Sequence, residues 1–236
     1  VLASSSHDYT ISIVVITLNE APVVEACLRH VGELLEADGP GELLVSDGGS
    51  TDGTRELAEL SVRTIVAPRG RAAGLNAGAS LATGEVLLFL HADTRLPSGA
   101  LSAVRQALNE QSTVGGRFQV ALDNPALAYR IVGASINLRD RLLGGFTGDQ
   151  AVFVRRSVFL EMGGYADLPL MEDLDFARRL TRRGHVARLP LSVATSARRW
   201  ERLGLVRTVL RMWTLRSLYY LGVPPRALTP HYADSR

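Results

Sequence analysis

Three groups of carboxylates in this chain stand where an α/β fold gathers its chemistry. The first is Asp93, which closes the run Glu85-Val86-Leu87-Leu88-Phe89-Leu90-His91-Ala92-Asp93-Thr94. A continuous apolar stretch of this kind reads as a strand covered on both faces, and parallel sheets built from such strands bind ligands beyond their carboxyl ends. Asp93 is therefore expected at a functional edge, with capping of the helix that follows Pro97 as the competing role. The second is Asp47, which opens the loop Asp47-Gly48-Gly49-Ser50-Thr51-Asp52-Gly53-Thr54 between a strand and a helix. Glycines and backbone N–H groups there favour close approach of a nucleotide, although neither a P-loop nor G-x-G-x-x-G is present. Ser50, Thr51 and Asp52 have the chemistry of turns and caps. Asp47 precedes them and is expected to be free to accept hydrogen bonds from a base or ribose. The third is Glu172-Asp173 with Asp175, at the start of a helix, where acids also serve as ordinary dipole partners. Asp175 is expected to cap that helix or to pair with Arg178 or Arg179.

The elements that must hold these groups follow from hydrophobic pattern. Ile11–Leu18 reads as a strand, Pro22–Glu36 as a helix, Glu42–Ser46 as a strand and Thr54–Leu60 as a helix. Val62–Ala67 makes a third strand, and Gly70–Leu81 a small-residue helix that leads to the strand ending at His91. Such alternation with short loops implies a mostly parallel central sheet with helices on both faces, a Rossmann-type α/β single domain. Beyond Pro97 the pattern predicts a helix over Ser98–Glu110, a strand over Val114–Leu122 and a helix over Pro125–Leu143. A strand over Ala151–Val154, helices over Phe159–Tyr165 and Met171–Arg183, a strand over Ala187–Val193 and a final helix over Leu203–Leu221 complete it. Residues 1–10 are expected to lie outside the fold, 11–97 to form a nucleotide-binding half, 98–200 an acceptor half, and 201–236 a C-terminal basic helix and tail.

Composition narrows the chemistry. All 26 basic residues are arginine, which excludes mechanisms that need a lysine, including P-loop phosphate binding and Schiff-base catalysis. The single cysteine, Cys27, allows no internal disulfide and no cysteine-based zinc cluster, so a cytoplasmic location is expected. No run of about 20 uncharged apolar residues predicts a membrane span, and Val1–Tyr9 lacks the apolar core of a signal peptide. Charge is uneven: residues 178–236 carry thirteen arginines against Glu201 and Asp234, a net +11, and leave residues 1–177 at −9. A basic surface of this kind suits phosphate groups, anionic lipid or nucleic acid, and charge by itself does not choose among them. No nucleic acid is expected as a partner.

Five segments, in order, resemble the family 2 glycosyltransferases of the GT-A fold. Thr17-Leu18-Asn19-Glu20 is similar to the first-strand signature of that family, and Asp47–Thr54 to its Asp-Asp-Gly-Ser-Thr-Asp-Gly-Thr loop. Arg71 with Asn76-Ala77-Gly78 comes next, His91-Ala92-Asp93 occupies the place of the DxD motif, and Glu172-Asp173 resembles the late Glu-Asp pair. The resemblance implies an inverting enzyme of hexosyltransferase type that takes a nucleotide-sugar donor, UDP-linked, and a hydroxyl acceptor, with a lipid-linked molecule or a glycan as candidate acceptors.

It further implies that Thr17, Leu18, Glu20, Asp47, Gly48, Arg71, Asn76, His91 and Ala92 form the nucleotide site. Asp93 would anchor a divalent cation, Mg²⁺ or Mn²⁺, because a leaving diphosphate gains negative charge and a hard ion takes carboxylate oxygen. Asp173 would be the general base, with Glu172 orienting the site. Asp149 and Gln150, in the glycine-rich turn Gly144–Gln150, and Arg199 and Trp200, in a segment similar to the QxxRW motif, would contact sugar or acceptor. Two departures stand out. Gly48 replaces a frequent second Asp, and His91 replaces the first acid of DxD, which leaves open whether its imidazole ligates metal.

A sugar-phosphate nucleotidyltransferase and a catalytically silent nucleotide-sugar binder or membrane-surface interaction protein remain as alternatives. The helical wheel over Leu203–Leu221 gathers Leu205, Val206, Val209, Met212, Trp213, Tyr219 and Tyr220 in one arc, interrupted by Arg216. Packing on the domain, a homodimer contact and peripheral docking at the inner face of a membrane are all compatible with that arc.

Overall fold

The computed structural model describes residues 8–232. Among them, eight strands form one sheet in the order β3-β2-β1-β4-β7-β6-β8-β5. The first half contributes β1 (Ile11–Thr17), α1 (Ala21–Asp38), β2 (Gly41–Asp47), α2 (Thr54–Glu59), β3 (Arg63–Val66), α3 (Arg71–Leu81) and β4 (Val86–His91). Its four strands are parallel, as the alternation predicts, and β1 and β4 are buried on both faces. The rest comprises β5 (Thr94–Arg95), α4 (Ala100–Leu108), β6 (Thr113–Leu122), α5 (Leu127–Leu143), β7 (Phe153–Arg155), α6 (Arg156–Glu161), α7 (Glu172–Thr181), β8 (His185–Thr195), α8 (Arg198–Leu203), α9 (Leu205–Tyr220) and α10 (Pro225–Leu228).

The two halves are not separable. β7 runs antiparallel between β4 and β6, and β5 crosses to pair antiparallel with β8, so each half completes the sheet of the other. Because β7 is reversed, it is the entry into β7, and not its exit, that lies beside the carboxyl end of β4. That single reversal brings the turn at residues 147–150 to the edge where the parallel strands end.

Small residues set the approach of α3. A Cβ on Gly78 would sit 2.2 Å from Val14 Cγ1, so only glycine lets the helix rest on the sheet and bring its first residue, Arg71, to the strand ends. On this side of the sheet the core closes with an aromatic group, in which Tyr165 stacks on Phe176 at 4.2 Å between centroids and meets Phe89 edge-on. The other side is mainly aliphatic, built from α1, α4 and the strands around the edge-on pair Phe118 and Phe153.

Several boundaries differ from expectation. The helix expected over Phe159–Tyr165 lies at Arg156–Glu161, because Gly163 and Gly164 both adopt left-handed backbone (φ 70° and 69°) and end it. The last helix breaks at Gly204 (φ 83°) into α8 and α9. Of the residues expected outside the fold, 1–7 lie beyond those described, whereas Tyr9 is tied in. Its carbonyl accepts from Arg105 Nε (2.8 Å), its hydroxyl accepts from Arg155 (2.9 Å), and its ring packs on the core.

Candidate functional site

The parallel strands end together. Thr17 pairs with Asp47 across β1 and β2, and Ile16 with His91 across β1 and β4, so the candidate residues of three strands share one edge. Asp47 is fully buried there. Its carboxylate accepts from Thr17 Oγ1 (2.9 Å), Gly49 N (3.0 Å), Ser50 N (2.8 Å) and Ser50 Oγ (2.5 Å). This corrects the expectation that Asp47 is free for a base or ribose: four donors saturate its oxygens, and its work is to hold the loop. Asn19, in left-handed backbone (φ 57°), knits the neighbouring turn to the same loop by accepting from Thr51 N at 2.9 Å. With Gly48 where the related pattern has an acid, the loop offers backbone and the Leu18 side chain to the ligand, not a second carboxylate.

The edge opens on a cleft of ≈ 490 Å³, lined by Thr17, Leu18, Glu20, Gly48, Arg71, His91, Ala92 and Asp93 on one side and by Asp149, Glu172 and Asp173 on the other. Asp93 faces it. Helix α4 starts at Gly99 with no side-chain cap, so the capping role for Asp93 falls away. Its carboxylate instead meets Arg198, 3.5 Å away, whose guanidinium also donates to Glu20 at 2.8 Å.

No group of three metal-ligating side chains occurs among the described residues. A single hard carboxylate on a cleft nevertheless fits a cation of the Mg²⁺ class, which is bound through one or two carboxylates together with substrate phosphates. Asp93 would hold such an ion once Arg198 turns to the phosphates. His91 lies against the opposite wall: a Cβ on Gly148 would come within 3.2 Å of its Nε2.

That wall carries the base candidate. Met171, in left-handed backbone (φ 66°), turns the chain into α7 so that the first two acids of the helix enter the cleft. Asp173 is held by Gly148 N (3.2 Å) and Leu174 N (2.8 Å). Burial, and next the adjacent charge of Glu172, raise its pKa from 3.8 to about 7, against the lowering effect of Arg71 and the two backbone donors. Glu172 is buried 3.8 Å from Arg71. Arg71 stays charged because Tyr232, Glu172 and Asp173 outweigh the cost of its burial. Asp175 pairs with Arg179 at 2.6 Å, as one of its expected roles requires.

Besides Asp47, two candidates fall outside the cleft lining. Asn76 spends its amide on the backbone of Tyr165, donating to the carbonyl (2.8 Å) and accepting from the N–H (2.9 Å), and so fixes the glycine turn after α6. Gln150 is fully buried, where its Oε1 accepts from Thr147 N (3.0 Å) and its Nε2 donates to the Phe118 carbonyl (3.3 Å). Both amides thus have both of their ends satisfied within the fold, Asn76 half-buried and Gln150 buried. Asp149 remains on the cleft, with Thr147 Oγ1 donating to it.

At the C-terminal side, Arg199 and Trp200 line the cleft from α8. Arg199 lies over the ring of Tyr232 at 4.6 Å, and the hydroxyl of Tyr232 accepts from Arg71 at 2.9 Å. Arg198, Tyr232, Tyr165 and Arg139 also line the cleft and were not among the expected site residues. Arg198 had a signal, as a second arginine beside Arg199. Tyr232 had none, because it reaches Arg71 only by the tertiary return of the chain.

Solved structures share this architecture. TarS of S. aureus in complex with UDP superposes with a TM-score of 0.63 at 17% identity, over 79% of this chain and 60% of that one. A mannosyltransferase from Pyrobaculum calidifontis, in complex with GDP-Man and Mn²⁺, gives 0.59 at 19% identity over 95% of this chain and 68% of that one. The fold is thus that of the GT-A glycosyltransferases. The family model described as "Glycosyl transferase family 2" matches residues 12–161, and the chain belongs to that family. Relatives called "PGL/p-HBAD biosynthesis glycosyltransferase" from Mycobacterium bovis and Mycobacterium tuberculosis are 34% identical over 174 residues, 65% of this chain. The match spans 62% of the length of those relatives.

Proposed function

We propose that this chain transfers a sugar from a nucleotide-sugar donor, UDP-linked, to a hydroxyl acceptor with inversion, and that Asp173 is the general base. The observation that carries the reading is the cleft itself: strand ends suited to a nucleotide face a half-buried carboxylate whose pKa lies near neutrality. A base of that pKa is ionised often enough at neutral pH to accept a proton and basic enough to take it from a hydroxyl during attack. The solved relatives that bind UDP-GlcNAc or GDP-Man support a nucleotide-sugar donor, and the names of the mycobacterial relatives support glycosyl transfer.

The roles divide by wall. Thr17, Leu18, Gly48 and Glu20 would line the nucleoside, Arg71 and Arg198 would neutralise the diphosphate, and Asp149 and Trp200 would meet the sugar or acceptor. Asp93 would hold Mg²⁺ or Mn²⁺, which when bound supplies Lewis-acid stabilisation of the leaving diphosphate. Glu172 keeps Arg71 in place and Asp173 basic.

Release of UDP from a panel of UDP-sugars, with and without Mn²⁺, tests the donor and the metal together. Metal-dependent release that Asp93→Ala abolishes is expected. Tight binding without turnover would favour the silent binder. Asp173→Asn is expected to bind UDP normally and to lose transfer; retained turnover would overturn the assignment of the base.

A further inference from the structure

Helices α5 and α9 each carry an apolar stripe on the side turned away from the core. On α5, Val132 and Ile136 are buried, while Leu127, Ile131, Ala134, Leu138 and Leu142 are all exposed. Their spacing of four, three, four and four residues sets them in one row along the helix. On α9 the buried side is Thr208 and Leu215, and Val206, Leu210, Trp213 and Tyr220 make the exposed row, extended by Leu221. A surface helix ordinarily hides one such row and presents a polar reverse. Among the described residues, nine of the twelve large hydrophobic side chains that stand exposed belong to these two rows, with exposures between 56% and 81%.

The two rows belong to one region. Val132, Ser135, Ile136 and Arg139 of α5 and Val209, Met212, Trp213 and Arg216 of α9 line the same cleft that holds Asp173, and Trp213 belongs both to the cleft and to the exposed row. Charge decides what covers them. Helix α9 contains no acid, and the one acid of α5, Asp140, is buried in an ion pair with Arg117. Arginines flank both rows: Arg130 and Arg141 on one border of the α5 row and Arg139 on the other, Arg207 and Arg211 on one border of the α9 row and Arg216 on the other. A second copy joined through this face by a two-fold axis would set arginine against arginine. Apolar rows with an aromatic residue at the cleft mouth, edged by arginine and free of exposed acid, match an anionic lipid surface.

We propose that the α5–α9 face docks on an anionic bilayer, with Leu138, Leu142, Leu210 and Trp213 entering the acyl boundary and the flanking arginines meeting lipid phosphates. Resting on the transferase reading above, this makes the α5–α9 mouth of the cleft the side that meets the membrane, so an acceptor anchored in that bilayer reaches Asp173 without leaving it.

Flotation of the full chain with vesicles of phosphatidylcholine, alone and with phosphatidylglycerol, tests the docking. Recovery with the anionic vesicles and loss of that recovery in high salt are expected. The double variant Leu138→Glu with Leu210→Glu, both outside the cleft lining, is expected to lose flotation at least tenfold while its affinity for UDP stays unchanged. The pair Arg207→Gln with Arg211→Gln is expected to lose the preference for anionic vesicles.

Failure of the parent chain to float, or flotation that survives the double glutamate variant, would overturn the proposal. So would light scattering that finds a dimer which the same variant dissociates. UDP release without vesicles is measured in parallel. If it fails while flotation persists, the transferase reading falls and the docking stands; the converse result removes the docking alone.

Discussion

Two carboxylates a short distance from the same cleft live under opposite rules. Asp47 ends β2 with four donors on its oxygens, and the chain there is a tight lattice of loop hydrogen bonds. Asp173 opens α7 half-buried on the cleft, with two backbone donors and an acid beside it, and its charge is costly to hold. Stability and reactivity are thereby assigned to different walls. The strand-end wall around Asp47 is satisfied by its own hydrogen bonds. The α7 wall raises the pKa of its carboxyl to about 7, the property that the proposed general base would use.

The largest expected effect is at Asp173. Asp173→Asn should lower the rate of transfer by about a hundred- to ten-thousand-fold, the range general-base removal usually costs. It should also melt higher than the parent at pH 8. A carboxyl whose folded pKa is raised contributes its stability in full below the unfolded value, near 3.8, and loses it as pH climbs through about 7, whereas asparagine is neutral throughout. Thermal melts at pH 5 and pH 8 check this, and an equal difference at both would erase the contrast between the walls.

Asp47→Ala tests the other side. It strands two backbone N–H groups and the Thr17 and Ser50 hydroxyls, so a loss of about 3 kcal/mol is expected in urea denaturation. A variant as stable as the parent would mean that Asp47 is held for a ligand after all.

Smaller effects sharpen the picture. Glu172→Gln removes the second cause of the raised pKa at Asp173, after burial, so the acid limb of the kcat–pH profile should move to lower pH. A limb that stays near 7 would leave burial as the only determinant. Met171→Gly should destabilise the fold by about 2 kcal/mol, because the loss of a side chain buried in one cluster with Leu174 and Leu215 outweighs the relief of its left-handed backbone. A melting temperature that rises would show that the backbone strain at Met171 is the larger effect.

The same contrast explains what could be read from the chain. The alternation of apolar runs and turns up to residue 97 places β1–β4 and their helices within a few residues, because each element there is local and β1 and β4 are buried apolar runs. The acids at the strand ends were legible for the same reason. What could not be read was saturation: nothing in the letters around Asp47 distinguishes a carboxylate free for ligand from one consumed by Thr17 and Ser50. Asn76 and Gln150 failed likewise, since their partners lie 89 and 32 residues away. The second half hid its breaks behind glycines. Gly163, Gly164 and Gly204 look like ordinary loop residues until their left-handed backbone shows that they end helices. The wheel over the last helix merged residues that line the cleft, Val209 and Met212, with exposed ones, Val206 and Tyr220.

The reversed strand β7 carries a consequence for how the molecule comes into being. During synthesis β4 is made some sixty residues before Phe153–Arg155 can cover its free edge. Until then an apolar strand offers unpaired N–H and C=O groups, a template for pairing with another chain. Pairing across so long a stretch forms slowly, because loop closure must precede the contacts that reward it. Residues 1–97 produced alone should therefore self-associate.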